Sequence, residues 1–299
     1  MSDRESYNEV KALIALLDDT DQEVFQHVSE KLFSMGPAVI EVLEDAYTSI
    51  PDQLTQERIE NIIHSIQFSE VKQELLNWAK QESDDMIKGM MIMNRYQFPL
   101  MDEDVVMGTI QKLIKDAWLG LNMYQSPLEQ IDAVNQVIFG QFGLRGSGYN
   151  DDEPRHSFLG SLITSQKGNP FSIGLLYLAI CQQLDLPVYG VCLRSHFVLV
   201  RSHETIYNFE DVTDLRDQVL FYINPYNKGL TFGEREIRNY LKKASIEQDE
   251  KYFLPASNLS VMIEFLYFVL EQYERQSSEW KSGDLKELIS ILEKEQSEL

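Results

Sequence analysis

Acyl transfer of the cysteine-protease kind needs a nucleophile at a helix N-terminus, where backbone amides and the helix dipole steady negative charge. It also needs an imidazole within hydrogen-bond reach, usually on a strand beside that helix, and a third group that fixes the imidazole's tautomer. The middle of this 299-residue chain offers helix, strand and strand in that order. Asn169 is a good N-cap and Pro170 a good first helical residue, which makes Ser172 the third residue of a helix running through Ile180. After Leu186-Pro187, the spans 188–193 and 197–201 read as strands, with His196 at the start of the second. Further on, Asn224 precedes Pro225. Each of these has a structural reading too. An early-helix serine can bond the first backbone groups. A histidine sharing a strand face with Val198 and Val200 can be a buried, hydrogen-bonded one. Asn-Pro is a turn former.

The two cysteines are Cys181 and Cys192. Cys181 lies nine residues past Ser172, roughly half a rotation away on the helix, which predicts a core position. Cys192 would share a face with His196 only if the strand were unbroken, and Arg194-Ser195 is expected to bend it. His196 and His203 lack zinc spacing. Asn150-Asp151-Asp152-Glu153 lacks the glycine and distal glutamate of a calcium loop. Residues 143–148 lack the lysine-serine pair of a phosphate loop. No cofactor is implied.

The runs KGNPFSIGLLYLAICQQLDLPVYGVCLRSHFVLV and FYINPYNKGLTF resemble the bacterial transglutaminase-like proteins of the SirB type. The upstream EPRHSFLGSLITSQKGNP fits the same lead-in, with His156 where an asparagine is usual. The resemblance covers about residues 128–235, and more loosely a C-terminal tail like the TPR-like helices of those proteins. It implies a papain/transglutaminase-like α+β core, a central helix packed on an antiparallel sheet. It also places Ser172 at the position of the nucleophilic cysteine, His196 at the imidazole and Asn224 where an aspartate usually orients the histidine. Asparagine can still accept from an imidazole. Serine is the larger departure, because a hydroxyl cannot sit as a stable thiolate-like ion pair.

The elements that must position these residues are helical on both sides. In the first hundred residues, Thr20 to Glu23 is a capping-box pattern before Val24, Phe25, Val28, Leu32 and Phe33, and Gly36-Pro37 ends that helix and begins another. A second pair is expected over Ile59–Ile66 and Val71–Trp78, and a third opens after Ser83 with Met90, Met91 and Met93 as core filler. Helix starts roughly thirty residues apart resemble HEAT-type repeats, with an ordinary helical bundle as the alternative. Helices follow over 102–122, from Ser126-Pro127 to about 139, and over 158–163. Further strands are expected at 205–209 and 221–223, then helices over 255–273 and 284–292. The organisation is therefore residues 1–95 as HEAT-like helices, 96–235 as the core with its lead-in helices, and 236–299 as the helical tail.

Composition fits this plan. Hydrophobic residues make up 43% of the chain, enough for a substantial core. The formal net charge is -22, and half of that falls in residues 1–95, so the acidity is spread along the chain. A field of that sign repels phosphate backbones and anionic membranes, which argues against nucleic acid and membrane as partners. Apolar runs stay short of membrane-spanning length and the first residues lack a signal pattern, so the expectation is a cytoplasmic protein. The expected function is a non-catalytic or weakly active transglutaminase-like module that binds a protein or peptide. The alternative is a serine-dependent amide or ester hydrolase using Ser172, His196 and Asn224.

Overall fold

The computed structural model describes residues 3–19, 21–148, 153–193, 196–207, 209 and 212–298. Contacts divide the chain into two units, Met1–Gln73 and Glu74–Leu299.

The first unit contains α1 (Asp3–Ile14), α2 (Gln22–Ser34), α3 (Ile40–Ser49) and most of α4 (Gln53–Asn77). Its core gathers Val10, Leu17, Val28, Leu32, Leu43 and Ile59. Asp21 caps α2 by accepting from the Glu23 N–H at 2.9 Å; Thr20, the residue expected to begin the cap, lies outside the described residues. Gly36 takes the left-handed conformation (φ 68°) that ends α2, and Pro37 opens the 3-10 turn leading to α3. The expected second helix pair is a correction: α4 is one continuous helix of 25 residues. No glycine or proline interrupts residues 53–77, and the apolar spacing of Ile59, Ile62, Ile66, Val71 and Leu75 stays helical throughout.

The second unit begins with α5 (Met86–Gln97), grouped on sequence with the N-terminal helices. Asn94 on α5 accepts from the buried Gly160 N–H at 2.6 Å, and Gln97 accepts from the Tyr273 hydroxyl at 2.5 Å. Met90, Met91 and Met93 are buried. Then come α6 (Glu103–Gly120), α7 (Pro127–Asn135), β1 (Arg145–Gly146), α8 (Leu159–Ser165), β2 (Lys167–Gly168) and α9 (Pro170–Gln183). The sheet follows, made of β3 (Val188–Leu193), β4 (His196–Ser202), β5 (Val219–Asn224) and β6 (Leu230–Phe232), with α10 (Val212–Asp217) before β5. The order is β3-β4-β5-β6, every neighbour antiparallel. Three helices close the chain: α11 (Glu234–Lys243), α12 (Asn258–Arg275) and α13 (Glu279–Glu298). α13 outruns the predicted 284–292; beyond 292, Glu293, Lys294, Glu295 and Gln296 are good helix formers, while Leu285, Leu288, Ile289 and Leu292 supply the buried stripe.

The strand expected at 205–209 is a second correction. Among the described residues of that span none is in a strand, and the Ile206 N–H donates to the Tyr189 hydroxyl at 2.7 Å instead of to a ladder. The fourth strand is β6. The result is an α+β core flanked by helices, with α9 at its centre. α9 is apolar on nearly all sides, and Phe171 through Cys181 are buried.

The two faces of the sheet have different neighbours. Phe197 on β4 stacks on Phe171 of α9, with ring centroids 5.1 Å apart and an interplanar angle of 14°. Val198 and Val200 point the other way, into a cluster with Val191, Tyr222 and, from α11, Ile237 and Leu241. Two glycines admit Phe197. A β-carbon at Gly174 would collide with its ring, and one at Gly190 would lie 2.9 Å from it.

Gly174→Ala is therefore expected to destabilise, because overpacking costs about 1–3 kcal/mol and exceeds the helix-propensity gain. Gly108→Ala on α6, where a β-carbon meets nothing within 4 Å, should stabilise by up to about 1 kcal/mol. Urea midpoints of the two variants test the contrast.

A second prediction concerns Lys281 on α13, whose ammonium lies 3.9 Å from the Tyr96 ring centroid. Burial pushes its pKa down from 10.5 to about 8, with Asp284 opposing. The folded state gives up this proton before the unfolded state does, so stability should rise with pH between about 8 and 10. Lys281→Met should remove that rise in urea titrations taken at several pH values.

Candidate functional site

The N-terminus of α9 is closed by a reciprocal capping box. The Ser172 N–H donates to Asn169 Oδ1 at 2.9 Å, and the Asn169 N–H donates to Ser172 Oγ at 3.0 Å. The hydroxyl also lies 3.4 Å from the Asn169 carbonyl oxygen, to which it donates. All hydrogen bonds of the Ser172 hydroxyl among the described residues go to Asn169. Gly168 covers it, since a β-carbon there would lie 2.5 Å from Ser172 Oγ. Ser172 is 1% exposed.

The cap continues into a buried polar chain. Asn169 Nδ2 donates to Ser157 Oγ at 2.7 Å, and the Ser157 hydroxyl donates to Gln272 Oε1 of α12 at 2.9 Å. All four side chains are buried, and each is satisfied by the next, as a polar group removed from water must be. Sequence reasoning identified Asn169 as the cap but missed Ser157 and Gln272. Ser157 sits in the EPRHS lead-in, and Gln272 is a polar residue on the otherwise apolar buried face of α12; a polar interruption of that kind is the only signal the sequence carries.

His196 is elsewhere. Its Nδ1 lies 3.0 Å from the Tyr240 hydroxyl, with ring centroids 4.7 Å apart. Tyr240 belongs to α11, on the sheet face turned away from α9. The strand alternation accounts for this: Phe197, the next residue, is the side chain β4 gives to α9. Asn224 takes a third location, at the end of β5. Its Oδ1 accepts from the Asn227 N–H at 3.1 Å, capping the turn Pro225–Asn227, and its carbonyl accepts from the Gly229 N–H at 2.9 Å. The register pairs Ile223 with Leu199 and Tyr222 with Val200, so Asn224 shares the His196 side of the sheet. The structure thus puts His196 and Asn224 on one face and Ser172 at a helix end on the other.

Neither cysteine offers a thiolate. Cys181 is fully buried and Cys192 partly so, and burial pushes both thiols well above their ordinary pKa. Cys192 pairs with Phe197, not His196, and Arg194-Ser195 between the strands lie outside the described residues. Among the described residues, no three His, Cys, Asp or Glu side chains are grouped to hold a metal, and no helix is long and apolar enough to cross a membrane. Of the acidic segment 150–153, residues 150–152 lie outside the described residues.

Comparison with known proteins is consistent with an α+β core of this kind. The transglutaminase-like superfamily profile matches residues 104–266, over half the chain. A UPF0162 protein of Xylella fastidiosa is 26% identical over 110 residues, which cover 37% of this chain and 34% of that protein. A UPF0162 protein of Vibrio cholerae is 22% identical over 127 residues, covering 42% and 47%. F-box only protein 21 of Mus musculus is 32% identical over 69 residues, covering 23% and 11%. The chain therefore spans between about a third and a half of the UPF0162 relatives it matches. No solved structure gives a significant match.

Ser172→Ala should leave the buried Asn169 N–H without its acceptor, at a cost of about 1–3 kcal/mol. An unchanged urea midpoint in this variant would contradict the capping role.

Proposed function

We propose that this chain, which belongs to the transglutaminase-like superfamily, is a member of its SirB-type branch that binds a protein or peptide and does not catalyse acyl transfer. The observation that carries this reading is the state of Ser172. Its hydroxyl is buried beneath Gly168 and accepts the Asn169 N–H, so it is committed to closing α9. A serine nucleophile needs an aligned base at the moment of attack. The imidazole at the matching position lies against Tyr240, across the sheet from α9. The Ser172 amide, an oxyanion donor in an active enzyme of this architecture, is bonded to Asn169 Oδ1.

The flanking helices support the binding half of the reading. Asp21, Asp52 and Asp85 each cap a helix start, roughly thirty residues apart, a period typical of helical repeats, and we read these helices as HEAT-like. We read the pair α12 and α13 as the TPR-like tail that the resemblance to the SirB type implies. Such helix pairs present extended faces to partners. The charge of -22 leaves nucleic acid and anionic membranes as poor partners and favours a protein surface.

Fluorophosphonate labelling of folded protein followed by peptide mapping tests the catalytic half. The expected result is an unmodified Ser172 at high probe concentration and no turnover of amide or ester substrates. Labelling at Ser172, or turnover abolished by Ser172→Ala, would establish the serine hydrolase instead.

A further inference from the structure

The turn joining α6 to α7 is built with its polarity reversed. Its polar side chains fasten the turn: the Asn122 N–H donates to Gln125 Oε1 at 2.9 Å, the Tyr124 N–H donates to Asn122 Oδ1 at 3.0 Å, and Gln125 Nε2 donates to the Gly120 carbonyl at 3.0 Å. A Ser126–Glu129 capping box then begins α7. The apolar side chains are left facing solvent. Trp118 is 65% exposed, Leu119 66%, Met123 87%, Tyr124 89% and Leu128 50%. Five large apolar residues are thus exposed within eleven positions of the chain, and exposed hydrophobics grouped in this way mark an interaction site more often than scattered ones do. The turn's own hydrogen bonds order it before a partner arrives, so binding costs less conformational entropy.

Beside this turn, α6 and α7 enclose a groove of about 340 Å³ whose lining includes Asp116, Glu129 and Asp132, with no lysine or arginine among its described residues. Hydrogen bonds from the Ser126 backbone and hydroxyl hold Glu129 below the usual carboxylate range, so it stays ionised. Leu119 is three residues from Asp116, and Leu128 four from Asp132, so apolar and acidic side chains are neighbours on their helices.

We propose that this turn and groove dock a basic amphipathic segment of a partner protein. Its apolar side chains seat on Trp118, Leu119, Met123 and Tyr124, and its lysines or arginines enter the groove. Charge decides among the occupants that an apolar patch could take. A second copy of this chain would bring another groove of three carboxylates and another net charge of -22 against the first. An anionic bilayer meets the same repulsion. A basic segment gains both the apolar burial and the charge pairing.

The proposal deepens the binding-module reading, yet the two fail separately. Labelling or turnover at Ser172 would overturn that reading and leave this docking surface standing. For the docking surface, fluorescence anisotropy on the full chain would use three synthetic peptides: leucine/lysine amphipathic, leucine/glutamate amphipathic, and serine/lysine. The leucine/lysine peptide should bind one to one, weaken with salt, and outcompete both others. Replacing Trp118→Ser, Met123→Ser and Tyr124→Ser together should lower its affinity by about tenfold or more while far-UV circular dichroism is unchanged. Asp116→Asn with Asp132→Asn should weaken binding and flatten its salt dependence. Amide exchange should show protection over residues 116–136 on peptide addition. Equal affinity in both variants would overturn the proposal, as would preference for the leucine/glutamate peptide. So would self-association of the wild type that the triple variant loses, or flotation with phosphatidylserine vesicles.

Discussion

The seating of Phe197 against α9 organises the centre of this molecule. Its ring lies flat on Phe171, and it fits only because Gly174 on the helix and Gly190 on β3 carry no β-carbon. Side chains alternate across a strand, so fixing Phe197 towards α9 fixes His196, Val198 and Val200 towards α11. A one-residue slip of β4 would bring the imidazole to the helix, and would also bury His196 and Val198 where Phe197 and Leu199 now pack. The contact that holds core and sheet together is thus the same contact that keeps the imidazole away from Ser172.

The head of α9 illustrates how one local geometry can serve two ends. A helix N-terminus offers unsatisfied amides and positive potential, useful to an oxyanion and equally in need of capping when buried. Here the need for capping prevails. Asn169 and Ser172 satisfy one another, and Ser157 and Gln272 carry the network on to α12. Each group in that chain has a partner, which is the condition under which buried polar atoms stabilise a fold.

Charge and apolar surface also occur side by side. The chain is acidic along its whole length, and the carboxylates that line the groove between α6 and α7 lie close in sequence to the exposed Trp118, Leu119, Met123, Tyr124 and Leu128. Elsewhere arginines engage the carboxylates. Arg95 lies between Glu74 and Glu103, and Arg216 between Glu234 and Glu250. These pairs are partly exposed and contribute little individually, yet they show how charge is balanced away from the groove.

The sequence by itself determined many of the element starts and the helix-then-strands order of the core. Asn169-Pro170 placed the start of α9, Gly36-Pro37 the break after α2, and Ser126-Pro127 the start of α7, because caps and first-turn prolines act within a few residues of themselves. Strands read at 188–193, 197–201 and 221–223 from β-branched and aromatic runs fall within β3, β4 and β5, though 205–209 was not a strand among its described residues, since its Ile206 N–H found a tyrosine hydroxyl and no ladder. The continuity of α4 was also misjudged, because a helical period can run through a pair boundary when nothing breaks it. What only the tertiary structure decided was which face of β4 meets α9. Both faces of that strand are apolar, so the alternation is visible in the sequence and its direction is not. Partners far apart in the chain set that direction: Gly174 and Gly190 for Phe197, Tyr240 for His196, and Gln272 for the polar chain behind Ser172. Long-range packing chose among locally equivalent alternatives, and that choice fixed where the candidate catalytic side chains lie.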